Sequence, residues 1–389
     1  MTLIPGSRTL AATLGACALL LGVLMLPAGP RQVARAKGNR NDQGLQVLTP
    51  VSYKNLTIFP VRGRDLEGSE AYITLDEGTK AGTVVITERG GGGQSARATY
   101  PHANAAPNVR QQSVAYTSGA SVNELALVNR SGKKLLLLSG EVIVGGKQDR
   151  IVQEDRLIPP VSVPVALSVF CVEHGRWTPR AAAYNSGGGG GSGRSAAAPS
   201  EAAAPDDAKF SSLGAVAHPK LRAAAQDKKV QSEVWKEVGE NNARLGTTNG
   251  TDTYQEVYAN RKVGAQMDDY LKALEREVLQ PGVVGVVVAR NGRPVWSDIF
   301  ASQRLFASYW PKLLKSYVVD ALGDQRDETR PAVADATRYL NDREGTLSTT
   351  TQEGVYQLFK IEQPTFAVFE LRDTSFVAPL RVHWNKMDR

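Results

Sequence analysis

The sequence predicts an α+β chain, in which a β-rich N-terminal part is followed by a mixed part of helices and antiparallel strands. Three observations carry this. Short alternating or apolar runs between Leu45 and Glu173 are punctuated by Gly, Asn and Ser. Apolar residues recur at helical spacing in Gln226 to Val238 and again in Val263 to Leu279. Strand-like runs return after Thr346, without the regular β–α alternation that builds a parallel sheet.

The first 36 residues read as a secretory signal. Arg8 precedes an apolar stretch from Leu10 to Leu26, Pro27 breaks it, and Ala34 and Ala36 fit an A-x-A processing site before Lys37. The alternative is a retained anchor, because the stretch is near the lower limit for a bilayer span and Arg31 and Arg35 follow it. Leu14 to Cys17 resembles a lipoprotein box only superficially, since the strongest apolar run comes after the cysteine. The expectation is therefore a secreted or periplasmic protein, membrane-tethered only if the segment is uncleaved.

The chain carries 46 Lys and Arg against 39 Asp and Glu, and three of the basic residues (Arg8, Arg31, Arg35) lie in the signal. The remainder is then only four charges positive, with no dense basic block and interleaved aromatics, so nucleic acid is not expected as a partner. Cys17 leaves with the signal. Cys171 remains alone among Val169, Phe170 and Val172, which excludes an internal disulfide framework and favours a buried, inert thiol.

The elements follow in order. Residues 37–44 form a flexible N-terminus. Residues 45–185 form the β-rich part, with strands at Asn55 to Val61, Val84 to Thr87, Asn123 to Asn129, Leu135 to Leu138, Glu141 to Val144 and Ser162 to Glu173. Arg130-Ser131-Gly132-Lys133 reads as a hairpin turn, and a short helix is expected between Glu70 and Gly82. Residues 90–107 are an insertion loop and 186–208 a low-complexity linker or loop, too poor in large apolar groups to build a core. Residues 209–345 form the mixed part. Its clearest feature is a hairpin from Val283 to Phe300 around Asn291-Gly292, a pair that favours a type I′ turn. Helices are expected at Gln303 to Leu322, restarted or kinked at Pro311, and at Pro331 to Asn341. Residues 346–389 return to antiparallel strands at Val355 to Ile361, Thr365 to Leu371 and Phe376 to Trp384.

Chemistry concentrates between Ser139 and Trp177. Gly145 and Gly146 permit a tight turn that presents amide N–H groups, and Lys147, Gln148 and Arg150 add donors suited to a phosphate or carboxylate. Glu141 and Glu173 are candidate general bases, and Arg176 and Trp177 would complete the anion site by charge and stacking. The competing reading is a strand end with surface ion pairs. The turn lacks phosphate-loop spacing, and no G-x-S-x-G or dinucleotide fingerprint is present. His102, His174, His218 and His383 show no metal-ligand spacing, so neither a metal nor a cofactor is expected. On an alternating strand Cys171 and Glu173 share one face and His174 lies on the other, which disfavours a Cys–His pair.

Gly140-Glu141, Gly146-Lys147-Gln148 with Arg150, and Cys171-Val172-Glu173 with Gly175-Arg176-Trp177 form a block with a familiar look. It resembles the bacterial and archaeal domain named for its association with ADP-ribosylglycohydrolase and rhodanese-phosphatase proteins. Gln231-x-x-Val234-Trp235, the Val283 to Arg290 strand and Trp310-x-Lys312-Leu313-Leu314 with Ser316-Tyr317 are similar too, so that the resemblance spans about residues 45–322. Asp149 stands where Asn is common in that family. The resemblance implies no particular reaction, and its name points to ADP-ribose or nucleotide-linked processes only by association. Two functions follow. The favoured one is an exported binding or structural module that takes a small anionic ligand or a protein partner. The alternative is a hydrolase-like enzyme acting on a phosphorylated or nucleotide-linked substrate through a carboxylate general base.

Overall fold

A computed structural model describes residues 41–89, 123–175, 209–323 and 327–389. The expected signal segment, 90–107 insertion and 186–208 linker lie outside the described residues. The described residues fold as α+β, built from one large sheet, one small sheet, a closed barrel and seven α-helices.

The nine-stranded sheet runs in the order β1 (Gln46–Val47), β3 (Leu56–Arg62), β13 (Val283–Arg290), β14 (Arg293–Phe300), β18 (Leu380–Asp388), β17 (Phe366–Asp373), β16 (Tyr356–Glu362), β15 (Thr346–Gln352). The short β2 (Val51–Tyr53) pairs with β3, and every pairing in this sheet is antiparallel. At its centre β13 and β14 form the expected hairpin. Asn291 and Gly292 both sit at positive φ (48° and 76°), the conformation a type I′ turn demands.

The barrel closes in the order β11 (Val161–Cys171), β6 (Glu124–Asn129), β5 (Val84–Glu88), β12 (Lys209–Val216), β8 (Glu141–Gly145), β9 (Arg150–Val152). Its interior is filled by alternating apolar residues such as Val84, Ile86, Leu125, Leu127, Ile143, Val152 and Leu167. A small sheet, β10 (Arg156–Ile158), β7 (Lys134–Leu137) and β4 (Tyr72–Ile73), shares a core with the barrel through Leu135, Leu137 and Ile158.

Of the helices, α1 (Leu75–Lys80) carries a capping box, with Thr74 and Glu77 each satisfying the other's backbone N–H. Then come α2 (Pro219–Ala223), α3 (Gln231–Leu245), α4 (Glu256–Ala259), α5 (Arg261–Val278), α6 (Gln303–Ala321) and α7 (Val333–Asn341). Asn260 caps α5 and Ser302 caps α6. The apolar stripe of α5 (Val263, Met267, Tyr270, Leu274, Val278) is buried, as its spacing predicts. A large core joins α3, α5 and α6 to one face of the nine-stranded sheet, and a smaller one lies on the other face under α7. With helices on both faces, β13 is buried along nearly its whole length.

Several expectations are corrected. β6 and β7 flank the Arg130–Lys133 turn but join different sheets, so the turn is not a hairpin; Asn129 pins it by bonding Ser131, Lys133 and Ile158. The expected helix from Gln226 begins only at Gln231, because Ala224–Lys228 is a π-helical turn ending at Lys229 in the left-handed region (φ 56°). α6 passes through Pro311 without restarting, held by burial of Trp310, Leu313 and Leu314. The two parts told apart by composition share their sheets. β12, from beyond the low-complexity stretch, completes the barrel, and residues 346–388 extend the sheet begun by residues 46–62. Pairing partners far apart in sequence leave no mark in local composition.

Candidate functional site

The turn after β8 is shaped by close approach. A Cβ on Gly145 (φ 127°) would lie 2.5 Å from the Lys209 carbonyl oxygen, and one on Gly146 (φ 50°) 2.7 Å from Glu88 Oε1. Only glycine fits both the backbone angles and the space. The amide groups that this turn presents do meet carboxylates, as the sequence suggests, but these belong to the protein itself. Lys147 N–H donates to Glu88 Oε1 (2.9 Å) and Gly145 N–H to Asp149 Oδ1 (3.3 Å).

The rest of this block faces inward. Gln148, Arg150 and Glu173 are buried, and Arg150 pairs across the barrel end with Ile143 on one side and Cys171 on the other. Gln148 Nε2 donates to the Glu173 carbonyl (2.9 Å), Asp149 N–H to Glu173 Oε2 (3.2 Å), and Thr253 Oγ1 to Asp149 Oδ2 (3.0 Å). Arg150 Nη1 donates to the Asp149 carbonyl (3.3 Å). Cys171 Sγ donates to the Glu173 carbonyl (3.3 Å), and burial pushes its thiol up, away from the reactive thiolate. His174 is exposed and packs edge-on against Trp235 at 4.5 Å. Arg176 and Trp177 lie outside the described residues.

Glu141 belongs to a different network. Its Oε2 accepts from Leu138 N–H (2.8 Å) and its Oε1 from Lys312 Nζ on α6 (2.5 Å). Lys312 also meets Asp76 Oδ2 on α1 (2.9 Å), and Asp76 accepts a hydrogen bond from Ser212. Burial raises the Glu141 carboxyl even against the attraction of Lys312. Burial would lower Lys312, but the two carboxylates overcome it and the ammonium is held charged. The two candidate bases thus have no common partner among these hydrogen bonds.

A third network was not legible in advance. Asp298 on β14 accepts both Nη1 (2.8 Å) and Nη2 (2.9 Å) of Arg222, Trp296 Nε1 (2.8 Å), the Tyr317 hydroxyl and His383 Nε2 (3.1 Å). His383 Nδ1 meets Asp155 Oδ2 at 2.6 Å, and Asp155 Oδ1 accepts from Ser139 N–H (2.8 Å). Burial would raise Asp298, but Arg222 and His383 hold it well below the usual carboxylate range. Burial would lower His383, but Asp155 and Asp298 on its two ring nitrogens raise it, favouring the imidazolium. Both partners of this relay are sealed from solvent, which suits it to locking strands together. The signal for it was a polar residue at an inward position of an otherwise apolar strand: Asp298 in Trp296–Phe300, His383 in Val382–Trp384. Lys312 carried a similar signal, as a lone cation within the apolar run of α6.

Accessible polar chemistry gathers instead in a cleft of about 590 Å³ between α2, the π-helical turn, α3, the β13–β14 hairpin and the end of β18. Val295, Trp296, Ala223 and Ala224 supply apolar lining, and exposed Lys220, Lys228, Lys236 and Arg293 supply positive charge. Asp227, Glu233, Glu237, Asp320 and Asp388 balance part of it. Asp227 is tied up by Lys360 and Arg389, and Glu237 by His218 (3.0 Å). Burial pushes the Asp388 carboxyl up to about 6. π-helical turns recur at functional sites, where the widened backbone presents groups an α-helix would hide. Among the described residues no cluster of His, Cys, Asp or Glu is arranged to hold a metal ion, and no helix is long and apolar enough to cross a membrane.

No curated protein and no solved structure matches this chain. A family model does match, over residues 44–377, and so reaches past the 45–322 span of the resemblance to take in β15, β16 and β17. The described residues of the block from Gly146 to Glu173 form the barrel end, and the chain belongs to the family of the ARG and Rhodanese-Phosphatase-superfamily-associated Protein domain.

Proposed function

We propose that this is an exported binding module whose family block is scaffold, and whose ligand is a small anion with an apolar or aromatic part, held in the cleft lined by Trp296 and Arg293. The observation that carries this reading is the fate of the turn at Gly145 to Lys147. Its amides already hold Glu88 and Asp149, so an external anion has to find its donors elsewhere. In the cleft, cations from four separate elements surround apolar lining, a combination that suits small-molecule recognition. Export rests on the segment from Arg8 to Ala36. N-terminal sequencing of the protein recovered from the cell envelope or medium should begin at Lys37.

A thermal-shift screen with nucleotides, ADP-ribose and sugar phosphates tests the binding reading. A stabilising ligand should lose its effect in Lys228→Glu and Arg293→Glu, both exposed and therefore tolerated by the fold. Stabilisation that survives both variants would place the ligand elsewhere. The hydrolase alternative retains one supporting observation, the elevated Asp388 carboxyl in that cleft, which suits a proton donor near neutral pH. Turnover of any ligand that binds, abolished by Asp388→Asn, would favour it.

A further inference from the structure

The nine-stranded sheet has two unlike edges. One ends in β1 and β2, strands of two and three residues. The other is β15, whose seven residues pair in unbroken register with β16 and, among the described residues, with no strand on the opposite side. Residues 346 and 348–351 are exposed. Open edges are ordinarily blunted by shortness, charge, proline or a bulge, since a free row of N–H and C=O groups templates further pairing. The sequence TLSTTTQ offers no charge and no proline, its register has no bulge, and its threonines favour extended structure.

We propose that β15 is the contact between two copies of this chain, paired antiparallel about a two-fold axis through Thr349. In such a self-complementary contact Ser348 faces the second copy's Thr350, Leu347 its Thr351 and Thr346 its Gln352. The acidic residues that flank the strand, Glu344 and Glu353, then fall opposite Gly354 and Gly345. No like charges meet anywhere along the pairing, which is the condition a strand must satisfy to pair with itself. A foreign strand would find little on β15 to read, because Ser and Thr side chains offer neither charge nor an apolar pocket. An uncharged strand whose two halves match is best matched by its own copy. The pairing joins the two sheets into one and covers both exposed edges.

The test is the oligomeric state of the full chain, by sedimentation over a range of concentrations. A dimer that dissociates on dilution is expected. Thr349→Lys and Thr349→Glu each place like charges across the axis and should each yield monomers. Thr349 is exposed, so the thermal midpoint of the monomeric variants should match that of dissociated wild type. Mixing the two variants in equal amounts should restore a dimer containing one of each, which a mere loss of folding could not do. A monomeric wild type at every concentration, a dimer that persists in Thr349→Lys, or a mixture that stays monomeric would each overturn the proposal.

Discussion

Lys312 on α6 donates to Glu141 at the start of β8 across 2.5 Å, with both side chains almost wholly buried. The pair bolts the helix at the centre of the main core to the barrel, and Asp76 on α1 joins it at 2.9 Å. An ion pair sealed in this way is far costlier to break on one side than to replace whole.

Lys312→Met should therefore destabilise the protein by about 3–5 kcal/mol, because Glu141 is left buried without its cation. Glu141→Gln combined with Lys312→Met should cost clearly less than the two single changes together. Urea unfolding of the four proteins gives the coupling. Additive effects would mean that the pair does not act as a unit.

His383 makes stability depend on pH in a defined direction. Its folded pKa lies above the ordinary value of 6.5, because Asp155 and Asp298 outweigh burial. Its stabilising contribution is thus complete below the unfolded value and is lost as pH rises through the elevated folded value. The thermal midpoint of wild type should exceed that of His383→Gln most strongly below pH ~6.5, with the gap narrowing on the alkaline side. Asp155→Asn, which removes one of the two raising carboxylates, should move the narrowing to lower pH. A gap independent of pH would dismiss the imidazolium.

How much of this was legible beforehand differs between elements. The Asn291-Gly292 hairpin and the stripe of α5 are local signals, a turn chemistry and a periodicity, and both were read from the residues alone. β9 and β10 have three residues each, too few to show a pattern, and β12 is diluted by Ser and Gly. The site divides the same way. Glu141, Gln148, Arg150 and Glu173 stood out by residue type, but type does not reveal whether a charge faces solvent or the barrel end. Lys312, the partner of Glu141, is 171 residues away in the chain, and Thr253, which bridges to Glu173, belongs to a distant loop. The same distance hid Asp155, Asp298 and His383 from one another.

Gly145→Ala should destabilise by more than the ~1 kcal/mol of an ordinary positive-φ substitution. The added Cβ meets the Lys209 carbonyl oxygen at 2.5 Å, a backbone atom of the strand that closes the barrel and cannot swing aside. Gly132→Ala, at φ 73° with nothing within 4 Å, shows the cost of a milder positive φ without any clash. Equal losses of thermal midpoint in the two variants would show that the space beside Gly145 is not limiting.

The cleft supplies the last expectation. Asp388 lines it with a carboxyl raised to about 6 by burial, so its charge disappears as the solution is acidified from pH 7.5 to 5. The balance of the cleft shifts towards positive, and an anion whose own charge is constant there should bind more tightly at pH 5. ADP-ribose serves as the probe, since its diphosphate is fully ionised across the interval. Asp388→Asn removes the titrating charge without changing the shape of the side chain. At pH 7.5 it should already show the tighter binding that wild type reaches at pH 5, and its affinity should respond little to pH. Calorimetric titration of the two proteins at both pH values decides the matter. A wild-type affinity that weakens on acidification, or an Asp388→Asn protein that keeps the full pH response, would remove Asp388 and this cleft from the account of anion binding.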